Sequence, residues 1–207
     1  MAKPRKVALL ANCLLNQNAK VCEGARYPGV ASPVVEALRN RGYELQQLPC
    51  PELAFAGVRR WWAVYEQYDT PAYRNHCRQL AKAIAPLIES FIRRGDDVIL
   101  IGLDGSPSSG VRFTSSKPQW GGRPNRPQDD WDIVPQRGIW IEELELELAR
   151  RGLPKIPATG WALDMGRFNE AGSRRDLEEF LESREKAAAP RGGKLRGGKL
   201  RGGKAAT

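Results

Sequence analysis

Four cysteines, Cys13, Cys22, Cys50 and Cys77, stand in a chain of 207 residues. No two of them form a Cys-x-x-Cys pair, so neither a zinc ribbon nor a thioredoxin-type dithiol is expected. Thiolates are soft ligands suited to iron–sulfur clusters, zinc or copper(I). Cys13 lies among amides, with Asn12, Asn16, Gln17 and Asn18 around it. Glu52 follows Cys50 by two residues and can act as a general base. A third segment, Asp104-Gly105-Ser106-Pro107-Ser108-Ser109-Gly110, combines hydroxyls with glycine backbone. Such a segment can aim N–H groups at an anion or a ligand carbonyl. Each feature has a plainer alternative: a cysteine packed as a small hydrophobe, a serine-capped turn, a surface carboxylate near a helix start. His76, beside Cys77, is the single histidine and has no placed partner, which makes it a poor catalytic candidate.

The elements that carry these residues argue for a shared site. Lys6–Asn12 is a mostly apolar run ending at Cys13, the pattern of a strand buried on both faces. Tyr43–Leu48 is a second strand, broken by Pro49-Cys50-Pro51, and Asp97–Leu103 is a third. Ile156–Trp161 is a weaker fourth. Between them Ser32-Pro33 opens a helix with Val34, Val35 and Leu38 on one face and Gly42 at its end. Thr70-Pro71 opens a longer one, with a stripe through Leu80, Ala81, Ile84, Leu87, Ile88 and Phe91 and a kink expected at Pro86. Ile139–Arg151 is a third helix, and Ser173, with Asp176 three residues on, is expected to start a last one. This alternation predicts an open, Rossmann-like, mostly parallel sheet with helices on both faces. Ligands of such sheets bind outside the carboxyl ends of the strands. Cys13, Cys50 and the serine loop each follow a strand, so all three are expected at one edge. The loop from Asp104 to Arg137 is long enough to be functional or disordered. Arg59-Arg60-Trp61-Trp62 and Gln67-Tyr68-Asp69-Thr70 can supply a lid that stacks on a flat ring, or simply close the core.

The net charge of +9 invites a nucleic-acid reading, but six of those charges (Arg191, Lys194, Arg196, Lys199, Arg201, Lys204) lie in 187–207 without an acid. The rest carries +3, too little for a basic binding surface by charge alone. We therefore divide the chain into one α/β domain over 1–184 and a disordered tail of Arg-Gly-Gly-Lys repeats over 185–207. The tail reads as a solubilising extension or as a weak electrostatic contact with nucleic-acid phosphate. No apolar run approaches the length of a membrane span, and a cytoplasmic location is expected.

Taken together, Asn12-Cys13-Leu14-Leu15-Asn16-Gln17-Asn18, Leu48-Pro49-Cys50-Pro51-Glu52-Leu53 and Asp104-Gly105-Ser106-Pro107-Ser108-Ser109-Gly110-Val111 resemble the thiouracil desulfurase (TudS) family, in particular its related desulfidases. Gln67-Tyr68-Asp69-Thr70, Trp120-Gly121-Gly122 and Gly138-Ile139-Trp140-Ile141-Glu142-Glu143-Leu144 are similar to that group as well. The resemblance covers roughly residues 5 to 152. It implies a 4Fe–4S cluster held by three cysteines with one iron open to the sulfur of a thiolated base, and hydrolysis of the C–S bond without net redox chemistry. It makes Cys13 and Cys50 metal ligands and Ser106 an active-site serine. Glu52 is the candidate acid–base group on its chemistry, and Asn16, Asp104 and Ser108 are candidate substrate contacts. The third ligand falls at position 109, where the family pattern has cysteine and this chain has Ser109. A hydroxyl is a harder and far more basic ligand than a thiol. Ser109 can ligate weakly, Cys22 or Cys77 can substitute (Cys22, in the same loop region as Cys13, is the better placed, and Cys77 on its helix is expected to be buried), or the fold can work without a cluster, as a nucleobase-binding module or a tail-assisted RNA-associated protein. The expected partner is a small thiolated base; the oligomeric state is left open.

Overall fold

Strands form where apolar residues run together, because a strand covered on both faces has no solvent side to mark. The computed structural model describes residues 3–21, 24–120, 131–163 and 168–188. It contains β1 (Lys6–Leu10), α1 (Asn12–Leu15), a 3₁₀ turn (Gln17–Ala19), α2 (Ser32–Asn40), β2 (Tyr43–Gln47), α3 (Pro51–Ala56) and α4 (Tyr65–Tyr68). There follow α5 (Pro71–Arg93), β3 (Asp97–Asp104), β4 (Thr114–Ser116), β5 (Asp132–Val134), α6 (Ile139–Arg150), β6 (Ala158–Ala162) and α7 (Glu170–Ala188).

Four strands make a parallel sheet in the order β2-β1-β3-β6. Ala8, Leu9 and Leu10 stand opposite Ile99, Leu100 and Ile101. Alternate residues face opposite ways along a strand, and the core divides accordingly. Val7, Leu9, Val98 and Leu100 pack with Ala81, Ile88 and Phe91 of α5 and with Leu144 and Leu148 of α6. Ala8, Leu10, Ile99 and Ile101 pack on the other face with Val34 and Leu38 of α2 and with Leu177 and Leu181 of α7. The expected open α/β sheet with helices on both faces is therefore present. Among the described residues no helix is long and apolar enough to cross a membrane.

Several local expectations change. Thr70 caps α5 as expected, its side chain accepting the Tyr73 N–H at 3.2 Å, and Pro86 lies inside this helix. The last helix starts at Glu170, ahead of Ser173. Asn169 provides its start, the side-chain carbonyl accepting the Gly172 N–H at 2.7 Å. Ser173 is instead buried and ties the helix to β6 by donating to the Ala162 carbonyl at 2.9 Å. This helix reaches Ala188, past the expected boundary at 184. The Arg-Gly-Gly-Lys repeats lie outside the described residues. The long loop after β3 contains two short strands, β4 and β5, paired antiparallel.

Candidate functional site

The strand order places the reversal of connection direction between β1 and β3, the position at which open α/β sheets bind ligands. The segments after β1, β2, β3 and β6 surround a cavity of about 400 Å³ at that edge. Cys13, Cys50, Glu52, Ser106 and Ser109 all line it. The convergence expected from the sequence is thus present.

Each segment is held there by identifiable bonds. Cys13 sits in the short helix α1, and the buried Gln17 folds back so that its side-chain N–H₂ donates to the Cys13 carbonyl. The Gln17 side-chain oxygen accepts the Arg26 N–H at 3.0 Å. Cys50 caps α3, its Sγ accepting the Leu53 N–H at 3.4 Å, with Pro51 at the first helical position. That places Glu52 in the first turn. His76 of α5 meets the Pro51 carbonyl at 3.2 Å, so the single histidine braces the Cys50–Glu52 turn and stands outside the cavity lining.

The serine loop is fixed from both sides. Asp104 Oδ1 accepts the N–H groups of Val111, Arg112 and Phe113 at 3.1, 2.9 and 3.4 Å. Arg112 Nε donates to Asp104 Oδ2 at 2.7 Å, and the same guanidinium reaches Asp176 at 2.7 Å and the Gly160 carbonyl at 3.1 Å. Glycine at 160 is required, because a Cβ there would stand 2.0 Å from the Asp104 carboxylate. The loop's carbonyls in turn satisfy the N-terminus of α6, which has no side-chain cap. Ile139 N–H donates to Pro107 O at 3.1 Å and Trp140 N–H to Ser108 O at 3.0 Å. Gly138 is pressed against this turn: a Cβ there would lie 2.3 Å from the Ser108 carbonyl.

Glu52 joins the loops into one network. Its Oε1 accepts from Ser106 Oγ at 3.3 Å and from Ser108 Oγ, and its Oε2 accepts from Arg60 Nε at 3.0 Å. Ser109 Oγ lies 3.4 Å from Ser108 Oγ. Burial pushes the Cys13 thiol up to about 11, with Lys20 opposing and Cys50 and Glu52 adding to the rise. Burial also raises Cys50, against the opposing Leu53 N–H. Both side chains are neutral thiols near pH 7. The phenols of Tyr68 and Tyr73 are raised first by burial and then by the Glu52 charge, which places that carboxylate close to both rings.

Other sequence candidates fall elsewhere. Asn16 is exposed, absent from the cavity lining, and its side-chain oxygen caps the 3₁₀ turn by accepting the Asn18 N–H at 3.1 Å. Asp104 touches the cavity, but its side chain is buried and engaged by the loop. Ser108 is buried behind the lining, under Glu52. Asp104 thus reaches the cavity with its side chain held by the loop, Ser108 is held by Glu52, and Asn16 is held by its own turn. Cys77 is fully buried in the core, as expected for a helical cysteine, and Cys22 lies outside the described residues.

The walls are aromatic. Of the two stretches offered as a lid, Arg60, Trp61 and Trp62 line the cavity while Arg59, Gln67, Tyr68, Asp69 and Thr70 do not; Trp120, Trp131 and Phe168, which sequence reasoning did not single out as ligand contacts, line it as well. Trp62 stacks on Trp131 with ring centroids 6.1 Å apart and planes 20° apart, and Trp120 meets Trp131 edge-on at 6.4 Å. The signal for Trp120 and Trp131 was their presence in an otherwise polar loop. Among the described residues no three His, Cys, Asp or Glu side chains converge as a metal-binding group. The donors at the positions that the resemblance assigns to the cluster are the thiols of Cys13 and Cys50 and the hydroxyl of Ser109, with the hydroxyls of Ser106 and Ser115 and the carboxylate of Glu52 also lining the cavity.

No family model matches the chain. A 4Fe–4S-dependent thiouracil desulfidase, TudS, is similar in structure over 76% of this chain and 91% of its own, with 19% identity and a TM-score of 0.44. Uncharacterized protein MJ0003 of Methanocaldococcus jannaschii is 34% identical over 148 residues, 72% of this chain and 81% of that protein. Identity of that extent makes this chain a member of the family to which MJ0003 belongs.

Proposed function

We propose that this chain binds a planar thiocarbonyl compound, a thiolated nucleobase or close relative, and removes its sulfur by hydrolysis. One observation carries the reading: Cys13, Cys50, Glu52, Ser106 and Ser109, from three separate strand ends, line one aromatic-walled cavity. The motif resemblance of the same three segments supports it. The donor set fits a soft-metal centre of mixed sulfur and oxygen ligation. Cys13 and Cys50 would hold an iron–sulfur cluster, with Ser109 at the third corner. When bound, such a cluster supplies a Lewis-acidic iron for the thiocarbonyl sulfur.

The protein's own groups do the rest. Trp62, Trp120 and Trp131 bury the faces of a flat ring and exclude bulk water. Arg60 holds the Glu52 carboxylate in one orientation through the 3.0 Å ion pair. Glu52 takes a proton from the attacking water as general base, with Ser106 Oγ beside it at 3.3 Å to position that water. Ser108 donates to the same carboxylate and holds Oε1 against the serine loop.

Anaerobic reconstitution with iron and sulfide tests this reading. The wild type should retain iron and labile sulfide, and Ser109→Cys should hold iron roughly tenfold more tightly against a chelator, because a thiolate is the softer and more acidic donor. Iron-free protein from both variants defeats the cluster reading. The hydroxyl at 109 and the two protonated thiols favour a second reading, a cluster-free module that binds the ring without reaction. Ring binding by an iron-free wild type, with no sulfide released, would select it.

A further inference from the structure

We infer that Ser115 sets the specificity of this cavity by hydrogen bonding to the lactam edge of the bound ring, its adjoining N–H and C=O; the inference rests on the ring-binding reading above. The strand β4 is three hydroxyl residues in a row, Thr114-Ser115-Ser116, and alternate residues of a strand face opposite ways. Thr114 and Ser116 turn away from the cavity. Thr114 Oγ1 donates to the Ser106 carbonyl at 3.0 Å, and Ser116 Oγ donates to the Glu66 carboxylate of α4. Ser115 faces the other way and lines the cavity, as does Ile133, which stands opposite it on β5. The segment is fixed before any ligand arrives. Lys117 N–H donates to Glu66 at 2.9 Å, Trp120 N–H closes the following turn on Lys117 O at 2.9 Å, and Gln67 donates to Trp120 O at 3.4 Å. One braced segment thus presents both the Ser115 hydroxyl and the Trp120 indole to the cavity.

The serine loop is occupied with itself. The N–H groups of Ser108 and Ser109, which the sequence offered to a ligand, donate to Ser106 Oγ at 3.3 and 3.0 Å, and the Ser106 and Ser108 hydroxyls donate to Glu52. Ser115 is buried in the opposite part of the lining, on the segment that carries the aromatic wall. Its hydroxyl both donates and accepts, so it matches a ring carbonyl as donor and a ring N–H as acceptor. The tryptophan faces hold any flat ring of the right size by its apolar surface. A hydroxyl set into that wall discriminates among such rings, because one without a lactam leaves it desolvated and unpaired. The ligand class is therefore a cyclic thioamide that carries a lactam beside its thiocarbonyl.

Calorimetric titration of the full chain and of its Ser115→Ala variant with 4-thiouracil and pyridine-4-thione tests the inference; the second ring keeps the thiocarbonyl and lacks the lactam. The wild type should bind 4-thiouracil about tenfold more tightly than pyridine-4-thione. Ser115→Ala should lose about tenfold for 4-thiouracil and less than roughly twofold for pyridine-4-thione, so that the preference collapses. Ser115→Thr, which keeps the hydroxyl, should keep the preference. No preference in the wild type, a preference that survives in Ser115→Ala, or equal losses for both rings overturns the inference and leaves the ring-binding reading standing. Binding of neither ring by folded wild type overturns both.

Discussion

At the scale of single residues, the state of Cys13 follows from where it packs. Its side chain lies in the core cluster with Leu10, Ala11 and Leu14, and burial pushes its thiol from 9.0 up to about 11. Below pH 9 the thiol is neutral in both the folded and the unfolded chain, so its contribution to stability is complete. Between pH 9 and 11 the unfolded chain ionises while the folded one does not, and stability falls with rising pH. A shift of this size corresponds to about 2 kcal/mol lost by the upper end of that window. Urea denaturation of metal-free wild type and Cys13→Ala, followed from pH 8 to pH 11, should show the wild type losing that much more. Parallel curves would contradict the burial argument. The same protonation makes metal uptake a proton-releasing step, because a thiol must lose its proton to become a ligand.

At the scale of elements, the serine loop is held by Asp104, with its three backbone bonds and the paired Arg112. Removing its carboxylate leaves the N–H groups of Val111, Arg112 and Phe113 without their acceptor, at a cost of about 1–3 kcal/mol for a buried group left unsatisfied, while Arg112 keeps Asp176. Asp104→Ala should lose that much in thermal or urea unfolding. Hydrogen exchange should quicken at Val111, Arg112 and Phe113 while β1 and β2 stay protected. Unchanged exchange in the loop would show that α6 alone fixes it. The strands were legible because a parallel sheet covered by helices on both faces leaves uninterrupted apolar runs such as Val98–Leu103. The edge rule then brought Cys13, Cys50 and Ser106–Ser109 together before any coordinates. Short elements were illegible for a physical reason: α1, α3 and α4 span four to six residues, too few for a helical period to register. The local bonds of Asp104, Asn16 and Ser108 were not legible, because sequence does not say whether a polar side chain turns to the cavity, to its own backbone or to a neighbouring carboxylate. Ser173 was misread likewise; a serine followed by an acid looks like a cap even when Asn169 has already made one.

At the scale of the whole molecule, charge separates two regions with different consequences. The described body is laced with ion pairs that cancel locally, among them Arg74 with Asp69, Glu142 and Glu143, and Arg112 with Asp104 and Asp176. The six cations of 187–207 have no acid within that segment. Any attraction of this protein to nucleic acid should therefore come from that segment, as contact with phosphate. Single-stranded nucleic acid releases counterions with a slope of about 0.7 per phosphate contact, so six contacts would give a slope near −4 in log affinity against log salt. Gel-shift titration of a single-stranded RNA at several salt concentrations should give a slope of that order for the full chain. The chain ending at Ala188 should lose both the slope and the binding. Its melting temperature and its affinity for 4-thiouracil should match those of the full chain, because the described residues that line the cavity all precede 188. RNA binding that survives the deletion would move the contact to the body and contradict the charge partition; loss of ring binding would mean that the terminal segment serves the cavity.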